Sequence, residues 1–588
     1  MDSKHIINFL AQNATGRRPH TVCPNPPNRL SWYPAAEKME MESPNPVNTL
    51  DQAEQTDFDL VVIGGGCVGT AVAMFAARDG ARTALIERTD FGAGTSGAST
   101  EIIHGGLQYL SMFRFHIVRQ SNQYAGRIYR SASHLCRPLP IIFPSYKGGP
   151  IPFAAIRTLM RIYDRYNRRF KGAPVGRKLS PTEVVAHIPV IRQEGLLGGV
   201  LYYEWWIDAP RMCLGSALSA ASHGAFVRNH ARVVGIRKTG DGRWAVEVLD
   251  HRTGRRVSLR TRVVVNATGP WTDQTCKLAG LDEPRRVRPT RGAHILLSKK
   301  LSDVGLVLHF VDGRYGIVLP KQHYSMIGTT DDDYYGDLDQ LTTTQDEVGY
   351  LVEGAERFLT GLRREDIIDS KVGVRPTVYV YGQNEDKLPR DHRVEDHRQS
   401  EMPGLISIYG GKLATATLMA EDVLRVIAEY LGKPINPPAD YRLPGGPDGN
   451  VETCLADHAD KAAEQFGVDQ PTVEALIRRY GTEYHRVLQL VKEQPELNEN
   501  LCRCRHEGQP VQHVLAAEVH YAVRQEWALT PDDVARRTGI GIGQCKKNQC
   551  MDRVDEILRT LPCQTSTSAG GHDGGERPMH SPSTTAPS

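Results

Sequence analysis

The residues best placed to do chemistry are three glycines at fixed spacing, Gly64, Gly66 and Gly69, in the stretch FDLVVIGGGCVGT. In such a turn the first glycine permits a tight bend, and the second lets the backbone approach a pyrophosphate. The third lets the following helix pack closely on the strand. The free amides and dipole of that helix then face the phosphates. Glu87 follows about 20 residues after the turn, where a carboxylate accepts from a ribose hydroxyl pair. An acid there suits FAD or NAD better than NADP. Glycine spacing alone describes a tight turn in many α/β proteins; the correctly placed acid is what turns it into a dinucleotide site.

These glycines need a frame, and the flanking sequence supplies one. Phe58–Ile63 is apolar and β-branched, as a central parallel strand should be. Ala71, Ala73, Ala76 and Ala77 continue a helix, and Ala84–Ile86 forms a second strand ending at Glu87. Three further segments select FAD. The run TSGAST offers the hydroxyls of Thr95, Ser96 and Ser99. After the strand Val263–Val265, NATGPW brings Ala267 and Gly269 into a second close turn. After the strand Leu405–Ile408, Gly411, Lys412 and Leu413 open a helix whose N-terminus can stabilise the negative charge of a reduced flavin.

Together with IHGGL at 103–107, Tyr109-Leu110, RGAHI at 291–295, IGTTD at 327–331, GVRP at 373–376 and GGKL at 410–413, these segments resemble the FAD-dependent glycerol-3-phosphate dehydrogenases. That family lies within the D-amino-acid-oxidase-like flavoproteins. The resemblance runs from about 57 to 430 and more weakly to about 560. It implies an α/β (α+β) chain: a Rossmann-like FAD-binding domain interleaved with a mixed-sheet substrate domain, plus a C-terminal helical domain. It also implies a reaction, in which sn-glycerol 3-phosphate loses a hydride from C2 to flavin N5 and a base takes the hydroxyl proton. Electrons then pass to a quinone or a partner redox centre.

By the same resemblance, Arg375 and Lys412 are cationic substrate-site residues, His104 and Tyr109 polar ones, and His294 a second base candidate. Gln108 stands where the family has arginine, and Thr417 stands at a second arginine position. Each change removes a charge and a bidentate fork. Two other functions therefore stay open: an amine or 2-hydroxy-acid oxidoreductase of the same superfamily, and a non-catalytic flavin-binding electron relay.

The chain has 588 residues, too many for one core, and reads as two or three domains. Residues 1–56 read as a proline-rich disordered leader, with Met39 or Met41 as alternative starts. Residues 57–445 alternate strands, helices and glycine turns; 446–562 are helical by period; 563–588 form a tail without Leu, Ile, Val or Phe. Leu443–Pro447 reads as the linker. A net charge of +3 gives no reason to expect a nucleic-acid partner. No apolar run is long enough to span a bilayer, and no secretory signal is expected. The scattered cysteines suit a reducing compartment, so a cytoplasmic location is expected. The sequence leaves the oligomeric state open, a homodimer included.

Two motifs lie outside the flavin pattern. Phe153–Gly172 carries Phe153, Ile156, Met160, Tyr163 and Phe170 at helical spacing beside Arg157, Arg161, Arg165, Arg168, Arg169 and Lys171. Such a helix can lie peripherally on the cytoplasmic membrane, or pack its apolar face on the main body. Near the C-terminus, Cys502-x-Cys504 and Cys545-x-x-x-x-Cys550 form two close pairs. They suit a [2Fe–2S] cluster, a zinc ion or free thiols, and the second pair resembles an iron–sulfur domain found in some anaerobic members of the family. A helix-turn-helix reading of 529–550 is opposed by its few base-reading candidates.

Overall fold

The computed structural model describes residues 49–107, 110, 114–172, 174–321, 323–383, 391–506, 509–541 and 548–561. The leader through residue 48, the tail beyond 561, Gln108, Tyr109 and Cys545 thus lie outside the described residues.

The glycine turn sits in the first of two large sheets. Its central strand, Asp57–Ile63, runs parallel to Thr83–Ile86 on one side and to Arg256–Asn266 on the other. Phe226–Arg228 and Leu405–Gly410 extend the parallel set outward. Leu60, Val61 and Val62 are fully buried, as strands covered on both faces require. The helix Cys67–Arg78 covers one face, and its alanines let Ala209–Ser222 and Ala416–Leu431 pack close beside it.

The second sheet has nine strands and is mixed. Its long hairpin-like pair, Val287–Leu297 and Ile367–Val378, places Thr290 opposite Arg375 and His294 opposite Lys371. Loop 95–101 is pressed between the two sheets. A Cβ on Gly373 would lie 2.6 Å from the Ala98 side chain, and Thr95 Oγ1 donates to the Val374 carbonyl at 2.5 Å.

Helices from Val451–Phe466 to Asn548–Thr560 form a third body with its own apolar core. The expected linker is a packed crossing. Leu443 is buried and its N–H donates to the Ser131 carbonyl, while Gly445 abuts the Tyr480 carbonyl so closely that a Cβ would sit at 2.0 Å.

One expectation needs correction, and one alternative is decided. Residues 49–56 are ordered, not part of a disordered leader: Thr49 caps a short helix, Leu50–Gln55, with a capping box to Gln52, and Leu50 and Ala53 are buried against the sheet. The basic helix Phe153–Lys171 buries Ile156, Met160 and Tyr163 in the core. Its apolar face is therefore spent on packing, and Arg161, Arg165 and Arg168 face outward.

Candidate active site

Five parallel strands of the first sheet end at one edge, which is where open α/β sheets bind ligands. At that edge Gly64 has φ +110°, and a Cβ on it would lie 2.6 Å from the Ala267 carbonyl oxygen. No residue with a side chain fits there without backbone movement. A Cβ on Gly69 would meet the Gly64 oxygen at 2.0 Å, so the helix rests directly on the turn. Gly66 begins that helix without a side-chain cap. Ser96 Oγ reaches across to accept the Cys67 N–H at 3.0 Å. Glu87 braces the same turn: Oε2 accepts from Gly65 N at 2.6 Å, and Oε1 from Thr89 N and Oγ1 at 2.8 and 3.0 Å. A carboxylate has about four acceptor positions, so lone pairs remain for a ribose.

Above these turns lies a cavity of about 1350 Å³. It is larger than the ~300–1,000 Å³ of ordinary small-molecule pockets, as a dinucleotide plus a substrate would require. Its walls include Gly64, Gly66, Glu87, Ser96, Ser99, Ala267, Gly269 and Gly410–Leu413. Gly410 and Gly411 both have positive φ, and a Cβ on Gly411 would collide with Met419 Sδ at 2.4 Å.

The other part of the wall is charged. Arg114, Arg314, Arg375 and Lys412 line it as cations, with Glu101, Asp331 and His104. Gly292 leaves room for the Arg375 guanidinium, since a Cβ there would be 2.5 Å from Nη2. Arg375 donates from Nη1 to Asp331 Oδ1 at 2.9 Å and from Nη2 to Thr329 Oγ1 at 3.1 Å and the Thr330 carbonyl at 3.2 Å. Arg314 donates to the Asp331 carbonyl at 2.7 Å and to Asp312 at 2.6 Å. Glu101 holds a left-handed backbone, φ +61°. Burial pushes its carboxyl upward, but Lys321 at 2.9 Å and Lys371 at 3.7 Å outweigh burial and hold it below the usual range.

The family described as "FAD dependent oxidoreductase" matches residues 59–424, and the "C-terminal domain of alpha-glycerophosphate oxidase" matches 439–561. A glycerol-3-phosphate dehydrogenase of Synechocystis is 32% identical over 83% of this chain and 89% of its own length. One from Mycobacterium leprae is 32% identical over 82% of this chain and 81% of its own length.

The chain belongs to the FAD-dependent oxidoreductases, in the glycerol-3-phosphate dehydrogenase family.

The solved glycerol-3-phosphate dehydrogenase of Bacillus halodurans, complexed with FAD, shares the fold with a TM-score of 0.67. It is 24% identical and covers 87% of this chain and 96% of its own. FAD is accordingly the cofactor of this oxidoreductase, and the side-chain-free cradle at Gly64, Gly66, Gly410 and Gly411 fits it. The C-terminal match coincides with the helical body, as expected from the helical period.

The expected substrate residues of the oxidoreductase divide into groups. Arg375, Lys412 and His104 face the cavity together. His104 Nδ1 accepts the Gly106 N–H at 3.1 Å, so the neutral ring carries its proton on Nε2. His294 does not line the cavity. It is 2% exposed in the sheet behind, neither ring nitrogen has a hydrogen-bond partner, and a Cβ on Gly328 would press on its ring at 2.2 Å. Burial first, then Lys371 and Arg375, push its pKa down to about 3, which keeps the ring neutral. Thr417 is buried and outside the cavity wall, so its lack of charge does not change the wall's charge. Gln108 and Tyr109 lie outside the described residues.

Sequence reasoning missed Glu101, Arg114 and Arg314. Glu101 directly follows the TSGAST run and was the one with a visible signal. Among the cysteines, Cys502 and Cys550 meet: the Cys550 side chain hydrogen-bonds Cys502 and lowers its pKa to about 6. Among the described residues the one group of three convergent ligand-type side chains is Asp90, His230 and Asp533, not the thiols. Cys545 lies outside those residues.

Proposed function

We propose that this oxidoreductase oxidises sn-glycerol 3-phosphate at C2 to dihydroxyacetone phosphate. The observation that carries this is one continuous cavity wall joining a side-chain-free glycine edge to a set of cations. FAD, when bound, supplies the hydride acceptor. Gly64, Gly66 and Gly69 give its pyrophosphate a close approach and helix amides, Glu87 accepts from a ribose, and Thr95, Ser96, Ser99, Ala267, Gly269 and Gly411–Leu413 shape the remaining wall.

Arg375 and Lys412 bind the phosphate. A phosphate carries close to two charges, and burying it without cations is costly. Asp331 and Glu101 set two negative charges against Arg375 and Lys412, so Arg114 and Arg314 are needed to leave this part of the wall net positive. His104 meets the hydroxyl. Because its Nδ1 holds Gly106, base duty there requires that hydrogen bond to be released. His294 is a neutral residue that packs behind Arg375. Electrons leave to a quinone or a partner redox centre, and the outward arginines of Phe153–Lys171 give an anionic membrane surface a weak electrostatic hold. No described helix is long and apolar enough to cross a membrane.

Anaerobic mixing of the flavoprotein with polyol phosphates, 2-hydroxy acids and amines tests the reading. Glycerol 3-phosphate should bleach the flavin band. Bleaching by an amine or hydroxy acid alone would overturn the substrate.

A further inference from the structure

We propose that the C-terminal helical domain clamps the cofactor: Arg537, aided by Arg536, positions the loop Asp90–Gly97 and so sets how tightly FAD is held. The proposal rests on the reading that the cavity holds FAD.

The loop leaves the strand at Glu87 and folds back over the glycine turn. Gly92 N donates to the Gly65 carbonyl at 3.0 Å, and a Cβ on Gly65 would strike the Phe91 ring at 2.7 Å. Thr89 and Gly92–Ser96 then line the cavity. The start of the loop is held a second time, from the helical domain. Asp90, 1% exposed, receives Arg537 Nη1 at 2.6 Å, Arg537 Nη2 at 2.9 Å and Arg536 Nε at 2.8 Å. Asn229 Nδ2 adds a fourth donor at 2.9 Å.

Arg537 is equally buried and is anchored to its own domain. Nε and Nη2 donate to the Glu526 carbonyl at 3.0 and 2.7 Å, and Nη1 to the Asp533 carbonyl at 2.9 Å. Asp533 in turn receives Arg536 Nη2 at 2.5 Å and His230 Nε2 at 2.8 Å. Asp90, His230 and Asp533 converge like metal ligands, but the two guanidinium groups already take their carboxylate oxygens, so arginine balances the charge here. One residue further on, Phe91 meets Trp527 of the helical domain edge-on, 5.8 Å between ring centres.

Two adjacent loop residues, one charged and one aromatic, are thus held from the helical domain, while that domain's helix Pro531–Thr538 does not line the cavity. A buried bidentate pair fixes orientation as well as position. Ordering the loop in advance removes a cost that FAD binding would otherwise bear. By linkage, FAD and domain docking must then stabilise each other.

The test follows the rate of FAD release from the holoenzyme by flavin fluorescence, beside the thermal melt of each variant. Arg537→Lys keeps the charge and loses the fork. Asp90→Asn keeps the shape and loses the charge. Glu526→Gln breaks another buried ion pair of this interface, with Arg211 at 2.8 Å, while keeping the main-chain carbonyl that anchors Arg537. The clamp predicts release faster by about tenfold for Arg537→Lys and for Asp90→Asn, with little further gain in the double variant. Glu526→Gln should lower the melt with release changed by less than about twofold. If Arg537→Lys does not fold, Trp527→Leu serves in its place, with the same acceleration expected. Wild-type release from the loop variants, or release that simply tracks melting temperature across all variants, overturns the clamp. Gly66→Val separates the two readings. Flavin lost there but retained normally in the loop variants sinks the clamp alone, whereas a fully flavinated Gly66→Val sinks the cofactor site beneath it.

Discussion

The two halves of the cavity are built on opposite principles. The cofactor half is made of backbone: Gly64, Gly69, Gly410 and Gly411 bring main chain to within contact, and side chains such as Glu87 and Ser96 brace it. The half proposed for the substrate is made of long side chains drawn from separate segments: Arg375, Arg314 and Glu101 are each held by an opposite charge, and Lys412 lines the same wall. A backbone site tolerates no added atom, whereas a charged site tolerates a change of shape but not a lost partner. Mutations should therefore separate flavin content from turnover.

The largest effect is expected at the backbone. Gly69→Ala puts a methyl 2.0 Å from the Gly64 carbonyl oxygen, which no rotamer relieves. The purified variant should lack the flavin spectrum altogether. Full flavin content would mean that the helix need not rest on the turn, and the contrast between the halves would fail.

Next comes the charged half. Arg375→Ala leaves Asp331 without its 2.9 Å partner and removes one of the cations that the proposed phosphate site relies on. Losing one member of a part-buried pair costs about 3–5 kcal/mol, so kcat/KM should fall by about two to four orders of magnitude with flavin content unchanged. Loss of flavin in this variant would show that the halves are not separable.

A smaller effect is expected where the halves mix. Glu87→Gln keeps an acceptor for Gly65 but removes the charge that a ribose hydroxyl meets, a charge-assisted bond stronger than a neutral one by about 1 kcal/mol. FAD affinity should weaken by about five- to tenfold at unaltered kcat. A change in kcat with unaltered affinity would move Glu87 into the wrong half.

The smallest effect concerns pH. His294 has a folded pKa pushed down to about 3 by burial, whereas the unfolded ring titrates near 6.5. Between those values the unfolded chain binds more protons, so stability falls as pH drops from about 6.5 toward 3. The buried His134, also held near 3, adds to the same slope. His294→Gln should reduce the difference in melting temperature between pH 7 and pH 5. An unchanged slope would place a titrating or hydrogen-bonded imidazole there.

Much of the cofactor half was readable because its parts are contiguous: strand, glycine turn, helix, second strand and acid fall within Phe58–Glu87. The substrate half was readable only as motifs. Arg375 stood in GVRP, but nothing local told that Asp331 would face it across the sheet, and Glu101 meets Lys321 from 220 positions away. The helix Leu50–Gln55 was hidden by the proline-rich stretch before it, although Thr49 and Gln52 already had capping-box spacing. The basic helix was read correctly as a helix, but its period could not tell that Tyr163 would be spent on the Gly105 amide at 2.8 Å. The interface pair Asp90–Arg537 spans 447 positions and left no local trace.

The most direct test of the central claim is the preference for phosphate itself. The rate of anaerobic flavin reduction per unit substrate concentration is measured for glycerol 3-phosphate and for glycerol, in the wild type and in Arg375→Ala. If the charged half reads the phosphate, the wild type should favour glycerol 3-phosphate strongly. Arg375→Ala should then cut that ratio by about a hundredfold while glycerol oxidation is nearly unchanged. A ratio that survives the substitution, with both substrates slowed alike, would contradict the account.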